Sequence, residues 1–276
     1  MAKAALTSRL WALLREESKK GAGRVMIRVR ILQLGLVCAA IVVLELLCRF
    51  GIIDRFTMIP PSEMASALAH VVATAPWFWP DVTYTLGNLV AAIGLSVLGG
   101  FLVGVAVHAM PRVRRVLDPI FTSYYAVPTF VLYPLLIVFF GIGPTSLIVL
   151  GALFGIVAMI IATVTAIDRI PRVLLKVARV SRLGPVRTAL LMKLPAASPH
   201  LMTGLWLAVA YSVIGIIAGE FILSTEGIGR RVALAYNNFD NQTMYALLVL
   251  ILAFAVALNA TLGALEQALH RRWYRS

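Results

Sequence analysis

The sequence predicts an all-α, polytopic membrane protein with six transmembrane helices. Three observations carry that expectation. Of 276 residues, 61% are hydrophobic and only 13% charged, with a mean hydropathy of +0.91, a composition foreign to soluble domains. The apolar residues gather in six runs, each near the roughly 20 residues a helix needs to cross the hydrocarbon core. The basic residues fall between those runs, in alternate loops. A net charge of +13 does not point to nucleic acid here, because no separate polar domain exists to hold one.

The runs are Ile31–Cys48, Val82–Met110, Pro119–Phe140, Ser146–Ile167, Leu201–Gly219 and Met244–Leu265. The first is read as a retained span, since a long charged segment precedes it and no small-residue cleavage site follows it. Its Cys38 and Cys48 are read as buried, inert thiols. Glu45 and Arg49 share a helix face four residues apart and are expected to pair. The second run is long enough to tilt or to extend past the membrane. Within it Gly100 and Gly104 form a G-x-x-x-G pair, which lets helices approach closely in lipid.

The third run holds Tyr125, Pro128, Thr129, Tyr133 and Pro134. Prolines there free carbonyls and permit kinks. The neighbouring hydroxyls either line a pathway or satisfy that freed backbone. The fifth run adds Tyr211 and Ser212 and ends at Glu220. A carboxylate inside a membrane is costly and is a functional candidate by default. Three roles stay open for Glu220: a substrate contact, a gate, or a hydrogen bond between helices.

Loop charge sets orientation. Segment 1–30 has eight Lys and Arg residues, 111–118 three, 168–200 seven and the C-terminal tail three, which makes 21 of the 25. Six spans place all four of these segments on one side, and the positive-inside rule makes that side the cytoplasm, with both termini in it. Segment 1–30 alternates Leu10, Trp11, Leu13 and Leu14 with charged residues, as either an interfacial amphipathic helix or a basic arm would. On the outer side, Ser62 is expected to cap a short helix through Ala65–Val72, with Pro60-Pro61 blocking it upstream. The domain reading is a cytoplasmic segment 1–30 followed by one six-span membrane domain over 31–276.

No catalytic constellation is visible. The chain contains no Gly-Lys pair, so it has no P-loop. Its four histidines are scattered, and no cysteine pair has ligand spacing. The chain is read as non-catalytic and without a cofactor or metal of its own.

The segment Asp168–His200 is the densest signal. Leu174, Leu175, Ala178 and Leu183 recur at near-helical spacing among Arg172, Lys176, Arg179 and Arg182. Gly184-Pro185 interrupts the pattern, and a second apolar-basic stretch ends at Leu194-Pro195. The segment therefore either lies on anionic membrane lipid or forms a helix-turn-helix knob, closed by a Leu-Pro turn, for a protein partner.

The same segment resembles the EAA loop of type I ABC importer permeases. Lys176-Val177-Ala178-Arg179 falls on the family's Glu-Ala-Ala stretch, and Leu194-Pro195-Ala196-Ala197-Ser198-Pro199 on its Leu-Pro-Ala-Ala-x-Pro ending. Lys176 replaces the acidic residue, Arg182 falls where Gly is expected, and Gly184 comes two residues late. The resemblance continues in Ile59-Pro60-Pro61-Ser62-Glu63, in Asp118-Pro119 through Gly141-Ile142-Gly143, and in Glu220 with Gly227-Ile228-Gly229. The branch it resembles most serves nitrate, sulfonate and taurine.

That resemblance implies a type I importer permease fold in a bacterial inner membrane, working as a pair, with a homodimer the simplest form. It implies two ABC ATPase subunits on the cytoplasmic loops, which would bind the ATP and Mg. It also implies a periplasmic or lipid-anchored solute-binding protein outside. Transport of a small anionic solute by alternating access follows from the same resemblance. Two other classes fit the residues without it: a secondary transporter or channel, and a membrane scaffold. Copurification of an ATPase separates them.

Overall fold

The computed structural model describes Val29 and residues 31–273. The amphipathic reading of 1–30 and the tail residue Arg275 lie outside the described residues. Contacts divide the chain into two compact units, residues 1–66 and 67–276. Among the described residues all regular structure is helical.

In the first unit, α1 (Ile31–Arg49) is an apolar helix long enough to span a membrane. It ends in a Schellman arrangement at Gly51, whose φ of +72° suits a residue without a Cβ. Cys48 is buried, but Cys38 is exposed, because little protein packs on this helix. The helix α2 (Pro61–Thr74) starts earlier than its sequence suggests, with Pro61 at its first position. Ser62 is therefore inside the helix and does not cap it. The cap comes from Glu45, whose carboxylate accepts the Ser62 N–H at 3.0 Å and its hydroxyl at 2.6 Å, and Arg49 Nε at 2.7 Å. A carboxylate at a helix N-terminus satisfies orphan donors and suits the helix dipole.

The second unit is built around α6 (Pro144–Asp168), the most enclosed of the spans. It packs against α3 (Phe78–Ala109) on one side and α9 (Leu194–Leu223) on the other. α3 has 32 residues, about 48 Å of helix at 1.5 Å per residue. It exceeds a hydrocarbon core of about 30 Å, as its run length suggests.

Small residues set these approaches. A Cβ added to Gly100 would lie 2.7 Å from Met159 Cβ and 2.8 Å from the Ile156 carbonyl; one on Gly104 would lie 2.7 Å from Thr163 Cβ. At Gly155 of α6 three helices meet: a Cβ there would lie 2.6 Å from the Ala208 carbonyl and 2.7 and 3.0 Å from the hydroxyls of Ser212 and Ser96. Those hydroxyls are fully buried and bond each other at 3.2 Å, joining α3 to α9 across α6.

The third apolar run is not one helix. α4 (Pro111–Tyr124) stops, a 3₁₀ turn spans Thr129–Leu132, and α5 (Tyr133–Phe140) follows after a bend of 100°. Pro128 stands at the break in an extended conformation (ψ 97°), where its ring favours leaving the helix. Pro134 lies in the first turn of α5 and breaks nothing. The described residues thus hold five unbroken candidate spans, and six when the bent pair counts as one.

After α6 come α7 (Arg172–Val180), a single turn α8 (Pro185–Thr188) and a π-helical turn Ala189–Lys193 that runs directly into α9. The expected Leu-Pro turn is absent. Leu194 and Pro195 stand where the π-helical turn passes into α9, and the chain from Ala189 to Leu223 forms one helix of 35 residues. The bundle is completed by α10 (Ile228–Asn237) and α11 (Asn241–Trp273). α10 packs on α9 and α11 through Ile228, Val232 and Leu247.

Candidate functional site

The 168–200 segment is two-faced. Leu174 and Leu175 pack with Ala166, Ile170 and Ala197, which pins α7 to the end of α6 and the start of α9. Ala178, only 3% exposed, belongs to the same buried face. The opposite face is apolar as well: Val173, Val177 and Val180, at i, i+4 and i+7, are 66%, 43% and 85% exposed. Residues at that spacing line one stripe of a helix. Arg172, Lys176 and Arg179 flank it and are exposed, as is Leu194; Pro195 is half-buried.

The end of α7 explains the displaced glycine. Leu183 N–H donates to the Ala178 carbonyl at 3.0 Å and Arg182 N–H to the Arg179 carbonyl at 3.1 Å, the paired bonds of a Schellman cap. Arg182 therefore occupies the left-handed cap position, with φ +48°, where glycine is the usual residue. Gly184 has no such φ; its carbonyl accepts the Thr188 N–H at 2.9 Å and opens the next turn. Holding an L-residue left-handed costs about 1–2 kcal/mol. Arg182→Gly is thus expected to stabilise α7 by about 1 kcal/mol, read as slower amide hydrogen exchange over 172–183. Faster exchange would show that the arginine side chain outweighs the backbone strain.

An ion cluster sits at the root of the segment. Arg114 of α4 donates to both oxygens of Asp168, at 3.1 and 2.7 Å, and lies 3.5 Å from Asp118. His108 Nδ1 is 3.3 Å from Asp168. Planar two-point pairing fixes geometry better than a single contact, so α4 is tied to α6 immediately before α7.

Of the pathway candidates, the structure brings two together. Tyr125 and Tyr211 stack with ring centroids 5.0 Å apart and 28° between planes. They line a cavity of about 260 Å³ with Thr165, His200 and Thr203. Pro128 is exposed at the helix break, beside buried Thr129. Tyr133 is fully buried among Leu136, Leu147 and Leu150. Ser212 is in the α3–α9 junction, away from that cavity.

Glu220 is fully buried at the opposite end of α9 and holds other elements together. Its Oε2 accepts the Thr85 hydroxyl and the Gly229 N–H, both at 2.9 Å. Thr85 in turn accepts the Ile228 N–H at 2.9 Å, and Asp81 accepts the Gly227 N–H at 3.1 Å. Asp81 also pairs with Arg231, whose guanidinium lies over the Trp77 ring at 4.7 Å. Both glycines are required by this approach. Gly227 has φ +101°, and a Cβ on Gly229 would lie 2.7 Å from Glu220 Cβ and 2.6 Å from the Ile217 carbonyl. Of the three roles open for Glu220, the hydrogen bond between elements is the one the geometry displays. Sequence reading missed Asp81, Thr85 and Arg231. The one available signal was an acidic residue beside an apolar run on the sparsely basic side.

Such a chain is a polytopic helical membrane protein. The family model for binding-protein-dependent transport system inner membrane components matches residues 96–275, and the chain belongs to that family. It is 28% identical to the taurine transport system permease protein TauC of Escherichia coli (strain K12) over 246 residues, 86% of this chain and 88% of that one. It is 27% identical to the nitrate import permease protein NrtB of Leptolyngbya laminosa over 186 residues, 67% of this chain and 66% of that one. Among solved structures, a chain of the MetNI methionine ABC transporter in an inward-facing conformation aligns with a TM-score of 0.60 at 19% identity. That alignment covers 71% of this chain and 99% of that one. The protein is therefore a multi-pass inner-membrane permease subunit of an ABC importer, a transport component and not itself an enzyme.

Proposed function

We propose that this permease works as a pair of identical copies, with the solute path between them, and that segment 168–200 is the coupling knob for two ABC ATPase subunits. The observation that carries the reading is the exposed Val173–Val177–Val180 stripe on a helix whose other face is locked to α6 and α9. Exposed apolar stripes with a charged border are the usual form of a protein contact. Lys176, Arg179 and Arg182 give that border a positive charge, so the receiving ATPase groove carries acidic residues. Ala178, Gly184, Leu194 and Pro195 shape the knob rather than touch the partner.

ATP and Mg bind on the ATPase subunits. A solute-binding protein docks on the other side, and both termini face the cytoplasm, as the distribution of basic residues supports. Residues 31–276 act as one six-span domain, with 1–30 a cytoplasmic segment. The stacked Tyr125 and Tyr211 border the path. Relatives named for taurine and nitrate support a small anionic or zwitterionic solute.

The test is purification of the tagged permease from its native cells, with the proteins that copurify identified. A stoichiometric ATPase whose hydrolysis drives uptake into proteoliposomes is the expected result. Uptake that runs on an ion gradient without ATP would replace this reading with a secondary transporter.

A further inference from the structure

The knot at the head of α10 shares no residue with the Tyr125–Tyr211 cavity or with segment 168–200. Three consecutive N–H groups, of Gly227, Ile228 and Gly229, are held by side chains of Asp81, Thr85 and Glu220 at 3.1, 2.9 and 2.9 Å. These are the orphan donors that open a helix. A local residue usually caps them; here Asp81 and Thr85 come from α3 and Glu220 from α9. All three holding side chains are buried, at 4%, 7% and 0% exposure. Unmaking such bonds away from water leaves polar groups unsatisfied, at about 1–3 kcal/mol each. α10 therefore cannot shift without either breaking the knot or carrying α3 and α9 with it.

α9 leads the other way without interruption. From Glu220 it runs back through the same 35-residue helix to Ala189, within the coupling segment, a reach of about 47 Å. The exposed end of α10 presents Tyr236, 61% exposed. Aromatic residues of this kind are enriched where proteins meet.

We infer that Asp81, Thr85 and Glu220 are positioning residues that fasten α10 to α9, so that the solute-binding protein's contact on α10 and the ATPase's contact on the coupling segment are read through one rod. The inference rests on the partners proposed above. Coupling between two sites is reciprocal, so a change imposed at the ATPase must appear at α10. That permits a test without knowledge of the solute.

The test uses the full permease–ATPase complex in nanodiscs, with Cys38 and Cys48 replaced by Ser. A bimane label is placed at one of two sites, Arg187→Cys on the coupling segment or Tyr236→Cys on α10. Emission is compared without nucleotide and after trapping with Mg-ATP and vanadate. Both labels are expected to respond in the parent. In Thr85→Val the label at 187 should still respond, while the response at 236 falls about five-fold or more, and Thr85→Ser should restore it. A role confined to stability would lower the yield of complex and leave the two labels responding together, which would overturn the inference. Should Thr85→Val fail to assemble, Asp81→Asn keeps the size and loses the charge pair with Arg231, and is judged by the same split. A parent in which the label at 187 does not respond would instead defeat the ATPase reading itself, a distinguishable result.

Discussion

Val177→Asp is expected to abolish ATP-driven uptake while leaving the permease inserted and folded. Val177 is in the middle of the exposed α7 stripe, 43% exposed, and points away from the face that Leu174, Leu175 and Ala178 bury. A charge there disturbs no internal packing. It removes an apolar contact at the centre of the docking face and obliges a carboxylate to be desolvated on binding. Central interface residues of this kind cost about 2 kcal/mol or more, about 30-fold in Kd. The measurement is the amount of ATPase retained on affinity-purified permease, with permease monodispersity as the folding control. Val180→Asp, at 85% exposure near the helix end, should be milder. Unaltered retention in both variants would remove the valine stripe from the coupling contact.

Gly155→Val should have the largest effect on folding. Its Cβ would lie 2.6 Å from the Ala208 carbonyl and 2.7 Å from the Ser212 hydroxyl, and the first of these is backbone in the middle of α9. Relief requires α6 and α9 to separate, which also breaks the Ser96–Ser212 bond. Overpacking usually costs about 1–3 kcal/mol; three helices meeting at one residue put this site at the top of that range or above. Gly94→Val is the control, because a Cβ there meets nothing within 4 Å. Thermal unfolding followed by intrinsic fluorescence should fall sharply for the first and stay within a few degrees for the second. Equal losses would mean that the junction relaxes.

These two sites show what sequence reading reaches. Spans and loop charge are one-dimensional signals, so five of the six runs became single helices, the fifth and sixth running well past their expected bounds. Gly155 was not singled out, because its run holds a second glycine, Gly151, and only the neighbouring helices distinguish the two. The break after Tyr124 was hidden for a related reason. The run stays apolar through Pro128, and a proline is compatible with a mild kink as well as with a full break. Pro195 misled in the opposite direction, since proline ends one helix as readily as it opens another. Glu220 was visible as a costly buried charge. Its partner Thr85 is 135 residues away, and no periodicity links them. Arg182 at a glycine position became intelligible only through its φ.

The broken span has a further consequence, for the chain's life before assembly. Its halves have 14 and 8 residues, about 21 and 12 Å, and neither alone crosses a core of about 30 Å. The peptide groups between them fall outside any continuous helical ladder, and non-helical backbone is tolerated at membrane depth only where protein buries it or a water-filled cavity meets it. In the single chain Tyr125, Val127, Phe130 and Val131 around that break are exposed. Under the paired arrangement proposed above, the second copy supplies that cover and the path supplies that water. On that proposal a newly inserted copy carries polar backbone toward lipid until it finds its neighbour, and synthesis beyond the neighbour's supply would yield a species suited to membrane proteolysis.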